Sequence, residues 1–288
     1  MRLGVVILPE LSWQDNVERW RTAEELGFDS AWTYDHLWWR TNGPWFSAVP
    51  VLSAVAATTR RIEIGTMVAT PNLRHPAVLA KDAATVQDIS GGRFVLGVGA
   101  GSPGTTDATV LDSAPLSQRT RANRFAEFVE LTSELLNNPA TSYSGQFYAV
   151  SEALMLPEIR VPLAIAATGP RGMDLVARYG TKWITTGPAA WTTDISPDEV
   201  AAQVAVQNEL LDKACAQAGR DSTEIDRIFI ATPRAGDPLK SSRACRDMAE
   251  RYAETGITHL VVHWPRESGV FAGNPDVLHE VAELRHRW

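Results

Sequence analysis

Asp35 and His36 stand side by side at the end of a short apolar run, and an acid next to an imidazole can hold, orient or pass a proton near neutral pH. A capped, solvated strand end would use the same two residues. A second place for chemistry is Leu163-Ala164-Ile165-Ala166-Ala167-Thr168-Gly169-Pro170-Arg171-Gly172-Met173. Small residues at the turn, the Thr168 hydroxyl, the Arg171 cation and the amides around Gly169 and Gly172 could together hold a phosphate. Thr168 as an ordinary helix cap is the alternative.

Two further segments suit a flat ligand. The run Ile62-Glu63-Ile64-Gly65-Thr66-Met67-Val68-Ala69-Thr70-Pro71 carries a glycine within a strand pattern, which marks a bulge or a close backbone approach, and could form a platform beneath a ring. Pro71 ending a strand and Pro76 opening a helix explain much of it too. Next, Gly97-Val98-Gly99-Ala100-Gly101-Ser102-Pro103-Gly104 contains the spacing of a dinucleotide fingerprint, but that fingerprint needs a helix at once, and here Pro103 and a polar run follow. These glycines either let backbone pass close to a planar cofactor or serve tight barrel packing. Trp38, Trp39, Trp45, Trp191, His263 and Trp264 lie in or near strand ends and loops, where they could line a substrate pocket or fill a core. No HExxH, HxH or Cys/His ligand spacing points to a metal, and no GxSxG elbow points to a serine nucleophile.

Positioning such residues requires a scaffold, and the pattern specifies one. Short β-rich apolar runs over 3–8, 30–35, 62–69, 94–101, 163–168, 182–187, 227–232 and 258–264 alternate with helical periodicity over 16–26, 46–59, 76–89, 118–136, 173–179, 197–218, 242–255 and 275–285. Eight βα units favour closure into a (β/α)₈ TIM barrel, with chemistry at the carboxyl ends of the strands, over a doubly wound open sheet. Gly27, Gly219 and Gly256 suit helix C-caps, and Ser196-Pro197-Asp198-Glu199 suits a helix start. Residues 102–117 and 141–162 are long connections, the second with aromatics around a Gly turn that predict a hairpin over 141–150, and 188–195 is irregular. No linker divides the chain, so residues 1–288 form one domain.

Composition narrows the class. With 44% hydrophobic and 21% charged residues the chain reads as a globular enzyme, and no apolar run is long enough to span a bilayer. The N-terminal run ends at Pro9, too soon for a signal-peptide core, and reads as a first strand. A net charge of −7 argues against a general nucleic-acid surface, so anions must be bound locally. Cys215 and Cys245 fall in amphipathic helical stretches as buried structural thiols, which points to a cytoplasmic setting.

Taken in order, Gly27-Phe28-Asp29-Ser30 leading to Asp35-His36-Leu37, Ile64-Gly65-Thr66 with Arg74-His75-Pro76, Ser90-Gly91-Gly92-Arg93 with Gly97-Val98-Gly99-Ala100-Gly101, and Ala166-Ala167-Thr168-Gly169-Pro170 resemble the luciferase-like monooxygenase superfamily, especially its F420-dependent branch. The resemblance covers nearly the whole chain. It implies a TIM barrel with insertion segments, often a homodimer, a cis Met67-Val68 peptide supporting a bent deazaflavin, and His36 as proton donor. By the same likeness Asp35, Met67, Val68, Ala69, Thr70, Ala100, Gly101, Ser102, Thr168, Gly169, Arg171 and Gly172 surround the cofactor, and Arg40, Arg74 and Arg171 could line a basic channel for the F420 tail. Ser102 departs from the acidic residue of the F420-dependent sugar-phosphate dehydrogenases, with Asp107 as a substitute carboxylate from the loop. The implied activity is hydride transfer between F420 and a small organic substrate. The alternatives are an FMN-dependent monooxygenase using O₂ and a barrel that binds ligand without catalysis.

Overall fold

A strand whose residues are apolar on both faces needs cover on both sides, and the eight barrel strands find it in a packed interior and a surrounding layer of helices. The computed structural model describes residues 1–39, 43–102, 107–111, 115–188 and 195–284. The chain runs β1 (Arg2–Val6), α1 (Trp13–Glu25), β2 (Ser30–Thr33), α2 (Ala48–Thr58), β3 (Glu63–Thr66), α3 (Pro76–Ser90) and β4 (Phe94–Val98). It continues through α4 (Asp107–Val110), α5 (Gln118–Asn137), the pair β5 (Ala140–Ser144) and β6 (Ala149–Leu154), β7 (Leu163–Ala166), α6 (Pro170–Tyr179) and β8 (Lys182–Thr185). It ends with α7 (Pro197–Ala218), β9 (Asp226–Ile230), α8 (Ser242–Glu254), β10 (His259–His263) and α9 (Val277–Leu284).

Eight strands close in the order β1-β2-β3-β4-β7-β8-β9-β10, all parallel. The seam is β1 on β10, paired from Arg2 with His259 to Val6 with His263, which rules out an open sheet. The expected hairpin is β5–β6, antiparallel and outside the barrel, its turn closed by Gly145 N–H donating to the Tyr148 carbonyl at 2.9 Å. One short helix, α4, sits within a stretch read as loop.

Side-chain alternation divides the core in two. Val6, Trp32, Val95, Ile184, Ile228 and Val261 are among those filling the barrel, while Leu3, Val5, Leu96, Ile165, Leu260 and Val262 face the helices. Each large apolar side chain buried in this way is worth about 1.5–3 kcal/mol. At the amino-terminal end the interior turns polar: Trp32 Nε1 donates to Ser30 Oγ at 2.7 Å, and Ser30 meets His259 Nε2 at 3.0 Å. Burial, with Arg2 and Lys182 nearby, lowers the His259 pKa well below its ordinary value.

The helix signals serve this frame. Ser196 and Glu199 form a reciprocal capping box on α7, and Gly219 ends the helix in the left-handed region, φ 68°. The Ser90-Gly91-Gly92-Arg93 motif is a brace. Arg93 donates to the carbonyls of Ala56, Thr59, Ile62 and Ser90 at 2.8–3.0 Å, satisfying backbone at the end of α2 and the start of β3. Helix α6 starts at Pro170, earlier than periodicity indicated, and its cap residue is Gly169, not Thr168. Among the described residues no helix is long and apolar enough to cross a membrane, and both cysteines are buried thiols.

Candidate functional site

Polar groups gather where the parallel strands end. After Thr66 the chain leaves the β3 ladder, the Met67–Val68 peptide is cis, and Ala69 then bridges to Val98. Met67 N–H donates to the Thr33 carbonyl at 2.8 Å, Ala69 N–H to Gly97 O at 2.8 Å, and Gly99 N–H to Ala69 O at 3.0 Å. This displaced segment presses on the glycine strand. A Cβ on Gly97 would stand 1.9 Å from Thr66 O, and one on Gly99 would stand 2.6 Å from Val68 Cγ2. The close-packing reading of these glycines is therefore met, and the neighbour is β3 itself.

His36 is held from behind. Its Nδ1 hydrogen-bonds Asp107 Oδ2, and the other oxygen of Asp107 accepts the Leu37 N–H at 3.1 Å. Asp107 opens α4 and is only 4% exposed at its side chain, whereas His36 is 21% exposed. With Nδ1 committed, Nε2 is the nitrogen left for a ligand. The loop carboxylate suggested by the sequence is thus next to the imidazole. Asp35 does something else. It is 2% exposed, and its two oxygens accept Arg74 Nε at 2.9 Å and Nη2 at 2.6 Å. That hydrogen bonding raises the Arg74 pKa against the opposing effect of burial. Arg74 is consequently a neutralised partner rather than an open cation for a channel, and Arg40 lies outside the described residues.

Beside His36 the rings of Tyr34, Trp39, Trp45, His263 and Phe271 form one cluster. Trp39 meets Tyr34 edge-on at 5.5 Å, tilts on Trp45 at 5.9 Å and lies parallel to Phe271 at 6.3 Å. Phe271 stacks on His263 at 3.5 Å, and the Tyr34 hydroxyl meets His263 Nε2 at 2.7 Å. Burial pushes the His263 imidazole down to about 3, the Ala231 carbonyl opposing, so the ring is neutral near pH 7. Of the residues assigned to a substrate pocket, Trp39 and His263 are in this cluster. Trp38 is exposed and outside it, Trp191 lies outside the described residues, and Trp264 is a correction: one residue past inward-facing His263, alternation turns it to the outer core.

The opposite side of the mouth is polar and basic. Thr70 is buried and its carbonyl accepts the Leu73 and Arg74 N–H groups; Asn72 Oδ1 accepts from Arg124 beside Gly101, whose φ is 75°. Ala100 is half-buried against the outer core, and Ser102 is exposed. Thr168 is exposed, Gly169 begins α6 with no side-chain cap, and a Cβ there would meet nothing within 4 Å. Gly172 lets α6 approach the end of β7, where a Cβ would lie 2.8 Å from Ala167 Cβ. Arg171 Nη2 donates to Asn123 Oδ1 at 2.8 Å, and burial together with Arg124 lowers the Arg121 pKa. Arg121, Arg124 and Asp107's contact with His36 went unassigned in the sequence, although the arginine spacing in α5 was a readable signal. Phe271 gave none.

Among the described residues no group of three or more His, Cys, Asp or Glu could hold a metal ion. A separate concavity on the outer flank, bounded by Lys81, Leu136, Asn138, Met155 and Arg160, is remote from the strand ends.

A family model described as luciferase-like monooxygenase matches residues 1–282. An F420-dependent glucose-6-phosphate dehydrogenase of Beutenbergia cavernae is 32% identical over 293 residues, covering 85% of each chain. Other matched dehydrogenases of that name are covered over only 50–60% of their length. A 5,10-methylenetetrahydromethanopterin reductase of Archaeoglobus fulgidus is 28% identical over 92% of this chain and 71% of its own. In fold, the chain matches a solved F420-dependent secondary alcohol dehydrogenase in complex with an F420-acetone adduct, with a TM-score of 0.78 at 19% identity, over 99% of this chain and 97% of that one. It also matches the coenzyme F420 dependent tetrahydromethanopterin reductase of Methanopyrus kandleri, with a TM-score of 0.75 at 19% identity, over 98% and 97%.

Proposed function

Because the chain belongs to the luciferase-like monooxygenase family, we propose that it is an oxidoreductase that works with coenzyme F420. The observation that carries this reading is the His36–Asp107 pair at the barrel mouth, next to a third strand that leaves its ladder. The relatives named as F420-dependent dehydrogenases support the cofactor.

The residues fit such a group. Gly169 faces open space at an uncapped helix start, where amides and the positive end of the helix favour a phosphate, with Thr168, Gly172 and Arg171 around it. Arg121 and Arg124 continue the positive charge along α5, which suits a long anionic tail better than the single phosphate of FMN. Met67, Val68, Ala69 and Thr70 would form the floor, with Ala100, Gly101, Ser102 and the Asp35–Arg74 pair at its edges. When bound, F420 supplies or accepts a hydride. His36 gives or takes the accompanying proton at Nε2, while Asp107 keeps Nδ1 protonated and the ring fixed. The barrel wall and the aromatic cluster exclude water from that proton.

The deciding experiment is titration of the purified protein with F420 and, separately, with FMN. Saturable F420 binding with weaker FMN binding is expected; tight FMN binding with indifference to F420 would overturn the assignment in favour of a flavin monooxygenase. The same reading includes a reducing, cytoplasmic setting, in keeping with two buried thiols, and a homodimer. Exposed Val78, Leu154 and Leu156 support the dimer, and sedimentation as a monomer would remove it.

A further inference from the structure

The mouth has two unlike halves. Around the barrel, the loops after β2 and β10 flank β1, while those after β4 and β7 lie across the ring from it. The first half carries the rings of Tyr34, Trp39, Trp45, His263 and Phe271; the second carries Arg121, Arg124 and Arg171.

Most of the charge in the first half is matched by acids. Arg74 is held by Asp35 at 2.6 Å and Arg266 by Glu10 at 2.7 Å, while Arg234 is turned to the Pro188 carbonyl at 3.1 Å. Behind His36 stands the Asp107 carboxylate, which would repel a phosphate dianion brought to that imidazole. The buried imidazole of His263 supplies no countercharge. Among the described residues this half therefore offers a phosphate two arginines already matched by carboxylates and a third, Arg234, bonded to main chain.

It does offer flat surface. Phe271 has φ 68°, a conformation that side chains other than glycine rarely adopt, and the surroundings hold it there. Arg266 N–H donates to the Phe271 carbonyl at 2.8 Å, Gly273 N–H donates to Arg266 O at 3.0 Å, and the Arg266 side chain is tied to Glu10. In that pose the Phe271 ring lies on His263 and within 3° of the plane of Trp39.

We infer that the aromatic half is the substrate subsite and takes a flat, uncharged aromatic molecule rather than a phosphate ester, with Trp39 and Phe271 setting that preference. This deepens the oxidoreductase reading and rests on it only in leaving the basic half to the cofactor. The substrate class then differs from that named for the glucose-6-phosphate dehydrogenase relatives.

The test titrates acetophenone and glucose 6-phosphate into the protein, with and without F420, by calorimetry and intrinsic fluorescence. Acetophenone is expected to bind at least about tenfold more tightly than glucose 6-phosphate. Trp39→Ala and Phe271→Ala should each weaken acetophenone by about 3–10-fold, the size of a lost ring contact, and leave F420 affinity within about twofold. Phe271→Gly, whose backbone takes the same φ without strain, should show the same loss with an unfolding midpoint at or above that of the parent. Glucose 6-phosphate binding as tightly as acetophenone, or acetophenone affinity unchanged in the ring variants, overturns the inference. Ring-dependent acetophenone binding without any F420 binding would instead sink the cofactor reading and leave the subsite standing.

Discussion

A proton can be handed over cleanly only by an imidazole whose second nitrogen is already engaged, and Asp107 engages it in His36. Replacing His36 with Ala should lower kcat by about 10²–10⁴-fold while F420 affinity is preserved, as steady-state assays alongside binding titrations would show. Asp107→Asn keeps an oxygen acceptor but removes the carboxylate that anchors Nδ1 and orients the ring, so a loss of about 10–100-fold is expected. Equal turnover in parent and variants would remove both roles. His263 makes a different prediction, about stability. Its folded value of about 3 lies below the ordinary 6.5, and His259 is lowered too, so below pH 6.5 the unfolded chain binds protons that the folded chain refuses. Stability is thus complete above about pH 6.5 and declines as pH falls, the His263 share amounting to about 2 kcal/mol at pH 5. Urea unfolding across pH 5–7 should show this slope, and His263→Phe should flatten it; an unchanged slope would contradict the account. His36 was legible in the sequence because it ends a strand run. Its pairing with Asp107, about 70 residues away, was visible only as a loop carboxylate in search of a role. Phe271 was invisible, since its importance comes from a backbone angle and a returning loop that side-chain type does not announce.

At the level of elements, the splice between β3 and β4 is the most tightly constrained part of the site. Gly97→Ala would drive a methyl into the Thr66 carbonyl, whereas Gly99→Ala meets the end of the Val68 side chain, which can turn. Both are expected to destabilise. Gly97→Ala should cost about 3 kcal/mol or more, and Gly99→Ala should sit toward the low end of the usual 1–3 kcal/mol for overpacking. Chemical unfolding measures the difference, and equal costs would mean that the backbone yields at Gly97. The alternation of strand and helix patterns revealed all eight barrel strands, yet the runs continued past the ladders at their carboxyl ends, to 35, 69, 101 and 168 where pairing stops at Thr33, Thr66, Val98 and Ala166. The cause is physical. Apolar pattern reports burial, and Met67 and Ala69 remain buried after their main chain has left the regular pairing. Helix α4 was missed because its four residues are too few to show a period.

The whole molecule carries a formal charge of −7, yet several arginines converge on one side of the mouth. Long-range attraction of an anionic tail to that side must be screened by salt, while stacking of an uncharged ring need not be. F420 affinity should therefore fall between low and physiological ionic strength, and the double variant Arg121→Ala, Arg171→Ala should flatten the dependence; acetophenone affinity should stay level in both. A steep salt dependence for acetophenone would show that the halves are not electrically distinct. The seam of the barrel bears on how the molecule is made. Strand β1 is synthesised first of the eight, and its second neighbour, β10, follows roughly 250 residues later. Until then a growing chain is an unfinished ribbon, with β1 at one rim and the newest strand at the other, each offering bare amides and carbonyls to any passing polypeptide. Translation stalled before His259 should leave a species dependent on chaperones for solubility, and release of the last barrel strand is the moment at which that dependence ends.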